Sequence, residues 1–273
     1  MADSRPIGAF DSGLGGLSVI KELEKVLPNE NFVYFGDTGR VPYGTKSNET
    51  IVKYATEDEA FLLSKDVKLI IAACGTVSSV ASHTKNDLPV PFIEVVTPAS
   101  CEAVKATRNN KIGILGTSAT VNSKSYENLI LEMLPDAEIT AVACPMFVQL
   151  VESGWIDKRD EVAVLTAKRY LQPLIDAHVD TVILGCTHFP ILSEIIGEIL
   201  GESVTLINAG KCAADTALKY LSDNGLLTDN TEKGECEFFV SDKIQNFSSV
   251  ASILLGRDIE SKVQKTDVSQ FSK

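Results

Sequence analysis

Positive charge is in short supply in this chain. Its 25 Lys and Arg stand against 37 Asp and Glu, a formal net charge of −12. Nucleic-acid grooves need clustered cations to neutralise phosphates, so nucleic acid is excluded as the main partner. A small anionic substrate is not excluded, because strand-end amides and hydroxyls can hold it locally. Long apolar runs are missing too. None approaches the ~18 residues of a membrane span. The opening MADSRPIGAF lacks the apolar core of a signal peptide, so a cytoplasmic protein with no membrane partner is expected. No Cys-x-x-Cys pair occurs among Cys74, Cys101, Cys144, Cys186, Cys212 and Cys236. That argues against structural zinc and leaves six thiols in a reducing compartment. Histidine is rare, with 3 in the chain. A dinucleotide fingerprint is absent: G-x-G-x-x-G after residue 12 would need glycine at 18, where Ser18 stands. Neither a pyridoxal lysine motif nor a metal cluster stands out, so no cofactor is expected.

What is present is the patterning of an ordinary globular protein, 44% hydrophobic and 23% charged. With 273 residues there is material for one large or two ordinary domains. Residues 179–190, VDTVILGCTHFP, are the stretch around which the rest is organised. The apolar run is too short for a helix and β-branched at its start, so it reads as a buried strand. Gly185 then turns the chain, and Cys186, Thr187 and His188 arrive together at a carboxyl strand end, where open α/β sheets bind ligands. Residues 67–76, VKLIIAACGT, have the same shape and deliver Cys74 and Thr76, the cysteines lying 112 positions apart (186 − 74).

In chain order, strands are expected at 7–10, 32–36, 67–74 and 91–96, with helices from about Gly16, over 48–65 and over 77–87. The order then begins again. KIGILG at 111–116 resembles PIGAF at 6–10, an offset of 105 (112 − 7), and strands follow at 138–145, 179–186 and 204–207. Four strands recurring in order predict two similar α/β domains with mainly parallel central sheets, related by a pseudo-twofold, with the site in the cleft between them. Residues 213–221 and 248–255 read as helices and 223–234 as a surface loop. The last dozen residues are polar and expected to fray.

A free cysteine is more often core than catalytic, which is the reading for Cys101, Cys144, Cys212 and Cys236. Cys74 and Cys186 differ. Each ends a strand at equivalent positions of two matching halves and precedes a helix whose N-terminal dipole should lower a thiol pKa. Asp11 and Asp37 lie just past strand ends, where a carboxylate is as often a cap or turn former. His188 stands two residues from Cys186, whereas His83 and His178 read as structural or surface residues. Glu152 alone reads as a solvated helix residue. A single cysteine with a histidine would suggest a hydrolase. Two symmetric thiols suggest proton chemistry on opposite faces of one carbon: one removes a proton while the other delivers one, inverting the centre. A cofactor-independent racemase fits this pattern best.

The segments IGAFDSGLGGLSV (7–19), YFGDTGRVPYG (34–44), AACGT (72–76), IGILGTSATVNS (112–123), ACPMFVQLVE (143–152) and LGCTHFPIL (184–192) resemble the cofactor-independent aspartate/glutamate racemase superfamily, and within it the bacterial glutamate racemases. The likeness is dense to about residue 210. It implies one domain from 1–98 with 211–273, carrying Cys74, and another from 99–210, carrying Cys186. It makes these two cysteines the acid/base pair, with Asp11 assisting Cys74 and with His188 and Glu152 assisting Cys186. Substrate contacts are implied at Asp11, Ser12, Tyr43, Gly44, Gly75, Thr76, Thr187 and His188, to which the strand-end position of Asp37 is added. The implied activity is interconversion of L- and D-glutamate for peptidoglycan, without a cofactor and in a homodimer.

One motif position departs from the family, which has Cys-Asn-Thr where this chain has Cys74-Gly75-Thr76. The missing amide implies a lost substrate contact, so Gly75→Asn is expected to raise kcat/KM. Three rivals remain open. A sister racemase for another acidic amino acid is opposed by FDSG and PYG. A weakened member that mainly binds ligand is favoured by Gly75 and opposed by both cysteines. A hydrolase using Cys186 and His188 would leave Cys74 unused.

Overall fold

The computed structural model describes residues 2–242, 247–259 and 262–271. Strands β1 (Ile7–Asp11), β2 (Phe32–Gly36) and β3 (Leu69–Ala72) are buried along their whole length. Continuous burial means that both faces of the sheet are covered, as parallel sheets require. β1 lies in the middle, with Ile7 opposite Phe32 on one side and Leu69 on the other. Its alternate residues go to opposite faces. Ile7 and Ala9 join a core with Leu17, Ile20 and Leu23 of α1 (Leu17–Val26). Phe10 joins a second core with Ile51, Ala55 and Leu62 of α2 (Asn48–Leu63). Strand β4 (Phe92–Glu94) continues the sheet beyond β3.

The chain then crosses over through α4 (Val96–Ala106) and builds a second sheet. It comprises β5 (Lys111–Gly116), β6 (Glu138–Ala143), β7 (Thr181–Leu184) and β8 (Thr205–Asn208) in the order β6-β5-β7-β8, all parallel. This repeats β2-β1-β3-β4. Ile112 pairs with Ile139 and Thr181 where Ile7 pairs with Phe32 and Leu69, so the repeat seen in the sequence is a repeat of hydrogen-bond register. Helices α5 (Ser118–Ser123), α6 (Ser125–Met133), α7 (Pro145–Glu152), α8 (Glu161–Asp176) and α9 (Ser193–Leu200) accompany the second sheet. The larger core runs unbroken from the α1 side of the first sheet into the second.

The sequence reading needs correction at three places. Helix 77–87 is interrupted: α3 (Gly75–Val80) stops at Ala81, and Ser82–Asp87 is a 3-10 turn. Thr84 Oγ1 lies 2.9 Å from the Ala81 carbonyl oxygen and 2.6 Å from the Glu59 carboxylate, and such local hydroxyl bonds compete with a continuing helix. Helix α10 (Ala209–Asp223) starts earlier than expected because Asn208 Oδ1 accepts from the Gly210 and Lys211 amides and caps it. Finally, residues 262–271 pack against the first sheet rather than fray, and 272 and 273 lie outside the described residues. Strand β9 (Cys236–Val240) joins β2, and β10 (Val263–Lys265) joins β9, both parallel. Val268 is buried, and Phe271 meets Phe61 edge-on at 6.1 Å. No helix among the described residues is long and apolar enough to cross a membrane.

Candidate active site

The carboxyl ends of the two sheets open on one cavity of about 290 Å³. Cys74 and Cys186 both line it. From the first half come Asp11, Ser12, Tyr43, Gly44, Gly75 and Thr76; from the second come Glu152, Thr187 and His188. Each cysteine follows its strand by the same short turn after Ala72 or Leu184, which is why equivalent registers deliver both thiols to one space.

The two thiols are not equivalent. Cys74 donates towards Ser12 Oγ at 3.6 Å. Burial, and after it the Asp11 charge, push this thiol up to about 12, against the lowering effect of the Val77 amide and Ser12. The downward shift expected from the helix start is therefore reversed, because desolvation of a fully enclosed thiolate costs more than a few amide dipoles return. Asp11 is itself buried, and burial raises its carboxyl against the opposing charge of His188 and the Gly13 and Gly16 amides. Its Oδ1 accepts from the Gly13 amide at 3.0 Å, and Thr187 Oγ1 donates to its Oδ2 at 3.4 Å. It reaches Cys74 through charge and through the turn that holds Ser12.

On the other side, Cys186 Sγ lies 3.8 Å from His188 Nδ1, and His188 Nε2 lies 3.1 Å from Glu152 Oε1. Burial lowers the imidazole pKa, but the Cys186 sulfur and the Glu152 carboxylate outweigh it and hold His188 at about 10. At neutral pH an imidazolium therefore faces the sulfur, the partner that a thiolate needs. Glu152, which alone reads as a solvated helix residue and which the resemblance placed beside Cys186, thus meets Cys186 through His188. The sign of the pH effect follows: the histidine's contribution to folding is complete below its unfolded pKa of 6.5 and is lost as pH rises towards 10. Urea-unfolding free energy should fall across that window in the parent and fall less in His188→Gln. Parallel curves for the two proteins would refute the assignment.

Close backbone approach brings the halves together. A Cβ built on Gly15 would meet Thr187 Oγ1 at 2.2 Å and the His188 ring at 2.6 Å. One built on Gly75 would meet the Gly185 carbonyl oxygen at 2.3 Å. Gly75 is thus the residue that lets the Cys74 turn touch the Cys186 turn, and the expected gain from Gly75→Asn is replaced by a steric conflict. Ser18 Oγ donates to the Thr187 carbonyl at 2.7 Å, and the Thr76 and Thr117 hydroxyls meet at 3.0 Å, also across the halves.

Asp37 is not among the lining residues. It is fully buried behind Tyr43, whose hydroxyl it accepts, and it also accepts from Arg40 and, at 2.6 Å, from Ser241 Oγ. Several polar lining residues were not among the sequence candidates, namely Thr45, Thr117, Ser118 and Gln149. The 105-residue offset would have found Thr117, which stands where Ser12 stands in the first half. Among the described residues no Lys or Arg lines the cavity, so an anionic ligand there meets hydroxyls, amides and the His188 cation. No group of three or more metal-ligating side chains occurs among the described residues.

A family model for Asp/Glu/Hydantoin racemases matches residues 15–217. The chain is 44% identical over 253 residues to the glutamate racemase of Geobacter metallireducens, covering 92% of this chain and 93% of that one. Its fold superposes with a TM-score of 0.90 on the crystal structure of glutamate racemase from Francisella tularensis in complex with D-glutamate, at 36% identity over 98% of this chain and 99% of that one. The Escherichia coli glutamate racemase, in complex with L-glutamate and the activator UDP-MurNAc-ala, superposes with a TM-score of 0.77 at 27% identity, covering 96% and 98%. In sequence over most of its length, and in both of its sheets, the chain belongs to the Asp/Glu/Hydantoin racemase family.

Proposed function

We propose that this protein interconverts L- and D-glutamate by two-thiol proton transfer at Cα and supplies D-glutamate for peptidoglycan. The observation that carries the reading is that two buried thiols at equivalent strand ends line one cavity of amino-acid size. Relatives named as glutamate racemases, one holding D-glutamate and one L-glutamate, support the choice of substrate.

The chemistry follows from the geometry. One sulfur, as thiolate, takes the Cα proton, and the electron pair left on carbon delocalises into the α-carboxylate. The opposite thiol delivers its own proton to the other face, so the centre inverts and the two sulfurs exchange protonation states. In the ligand-free site the His188 imidazolium prepares Cys186 as the base, while enclosed Cys74 keeps its proton and serves as the acid. Family resemblance makes this the L-to-D direction. For the reverse, the α-ammonium of the bound substrate brings positive charge to a thiol that burial and then the Asp11 charge otherwise hold up. Ser12, Thr76 and Thr187 offer hydroxyls to the two carboxylates, and Tyr43 and Gly44 form the wall beside them. Burial of both thiols and of Asp11 strengthens each of these contacts.

The test is the circular dichroism of either enantiomer incubated with pure protein and no added cofactor. Both signals should decay to zero. Unchanged glutamate alongside racemised aspartate would replace this reading with the sister-racemase one. A homodimer in the cytoplasm belongs to the same proposal; sedimentation at monomer mass would remove the dimer, and fractionation away from the cytosol the location.

The same reading divides the chain into 1–98 with 211–273 and 99–210, closing on substrate about the two crossings. Hydrogen exchange should slow at residues 96–100 and 208–212 when glutamate is added. Identical exchange at saturating substrate would argue against closure.

A further inference from the structure

Arg40 does not line the cavity, yet it organises the wall. Its guanidinium donates to Asp37, to Glu57 and, at 2.9 Å, to Asp58 Oδ1, and lies 4.1 Å above the centre of the Tyr54 ring. The Tyr43 ring sits 5.4 Å from that of Tyr54, and the Tyr43 hydroxyl rests against Asp37 and, at 3.1 Å, Asp58 Oδ2. Ser241, just beyond β9, donates to Asp37 and accepts from the Gly39 amide. The cluster therefore ties together the loop after β2, helix α2 and the segment after β9. Three carboxylates crowd one guanidinium, and burial followed by the Asp37 charge raises the Asp58 carboxyl well above the usual carboxylate range, against the lowering effect of Arg40 and the Tyr43 hydroxyl. The thiols have other partners, Ser12 and His188.

The wall held this way is also the contact with the other half. A Cβ built on Gly44 would lie 3.0 Å from Thr117 Cβ, so a shift of residues 42–45 alters the cleft directly. We propose that Arg40 is a positioning residue for the substrate wall: by clamping Asp37 and Asp58 onto the Tyr43 hydroxyl it fixes Tyr43 and Gly44 where they meet the substrate. The proposal rests on the glutamate reading and adds a determinant of substrate affinity that lies outside the cavity. A wall residue acts on binding of both enantiomers rather than on proton transfer, so its signature is KM.

The test is a double-mutant cycle of Arg40→Met and Tyr43→Phe, read by steady-state kinetics on L- and D-glutamate. Arg40→Met should raise KM about ten-fold for both enantiomers while kcat stays within about two-fold. Tyr43→Phe should raise KM as well, and the double mutant should be no worse than Arg40→Met, because the two act through one linkage. Amide exchange at residues 43–46, measured without substrate, should quicken in Arg40→Met. Arg40→Lys keeps the charge and loses the fork, so it should show an intermediate KM and carries the test if Arg40→Met fails to fold. Additive KM effects, a fall in kcat at unchanged KM, or unaltered exchange at 43–46 would overturn the proposal. A parent that leaves glutamate unchanged would refute the substrate reading alone, and the exchange arm would still decide the role of Arg40.

Discussion

Cys74→Ala and Cys186→Ala should each abolish racemisation of glutamate. Either substitution removes the acid in one direction and the base in the other, and each role is worth roughly 10²–10⁴-fold. Among the described residues no lining lysine stands by to replace the lost thiol. What survives should differ between the two. With Cys74 gone, Cys186 beside its imidazolium can still exchange the Cα proton of L-glutamate with solvent, and the missing opposite donor prevents inversion. With Cys186 gone, only D-glutamate should exchange. Deuterium incorporation read by mass spectrometry, with chirality read on the same samples, separates the cases. Full racemisation by either mutant would end the two-thiol mechanism. Inactivity of Cys186→Ala with an unaffected Cys74→Ala would point instead to a nucleophilic cysteine.

Gly75→Asn should lower kcat/KM by about 10²-fold. The family pattern alone argues for the opposite, since an asparagine amide hydrogen-bonded to a charged substrate group is worth about 1.5–3 kcal/mol. That gain requires room for a Cβ, and at position 75 the first obstacle is the Gly185 carbonyl at 2.3 Å. The obstacle is backbone and cannot rotate aside. Gly185 is held in turn by its own amide, which donates to the Leu115 carbonyl at 2.8 Å, and by Tyr126 packed behind it. The start of α3 must therefore give way, taking Cys74 with it. A displacement of about 1 Å at a reacting group costs around a hundred-fold, and overpacking costs about 1–3 kcal/mol of stability. Gly75→Ala, which adds the Cβ without the amide, should lose as much activity. A Gly75→Asn enzyme faster than its parent would show that the turn yields without moving the thiol.

Much of this site is legible in the sequence because its signals are local. Short β-branched runs alternating with helical periodicity are enough for parallel α/β halves. Offsets of 105 and 112 align Ile7 with Ile112 and Cys74 with Cys186. The ladders pair Ile7 with Leu69 and Ile112 with Thr181, and each cysteine stands two residues past the strand so paired. That two thiols end equivalent strands is therefore a property of the chain alone. Other features depend on what lies opposite. Asp37 and Asp11 look alike in the sequence, each just past a strand end, but the Tyr43 ring comes between Asp37 and the cavity. Thr117 becomes a site residue because a second sheet brings it within 3.0 Å of Thr76. The upward shift of Cys74 comes from enclosure and from a carboxylate far away in sequence, which no local dipole argument contains. Strand β10 pairs through backbone amides at the sheet edge, so the polar side chains of Gln264 and Lys265 gave no sign of it. Gly75 shows the division most plainly. Its identity marks a departure from the family, but whether a side chain there would help or obstruct was decided by a carbonyl oxygen on the far side of the cleft.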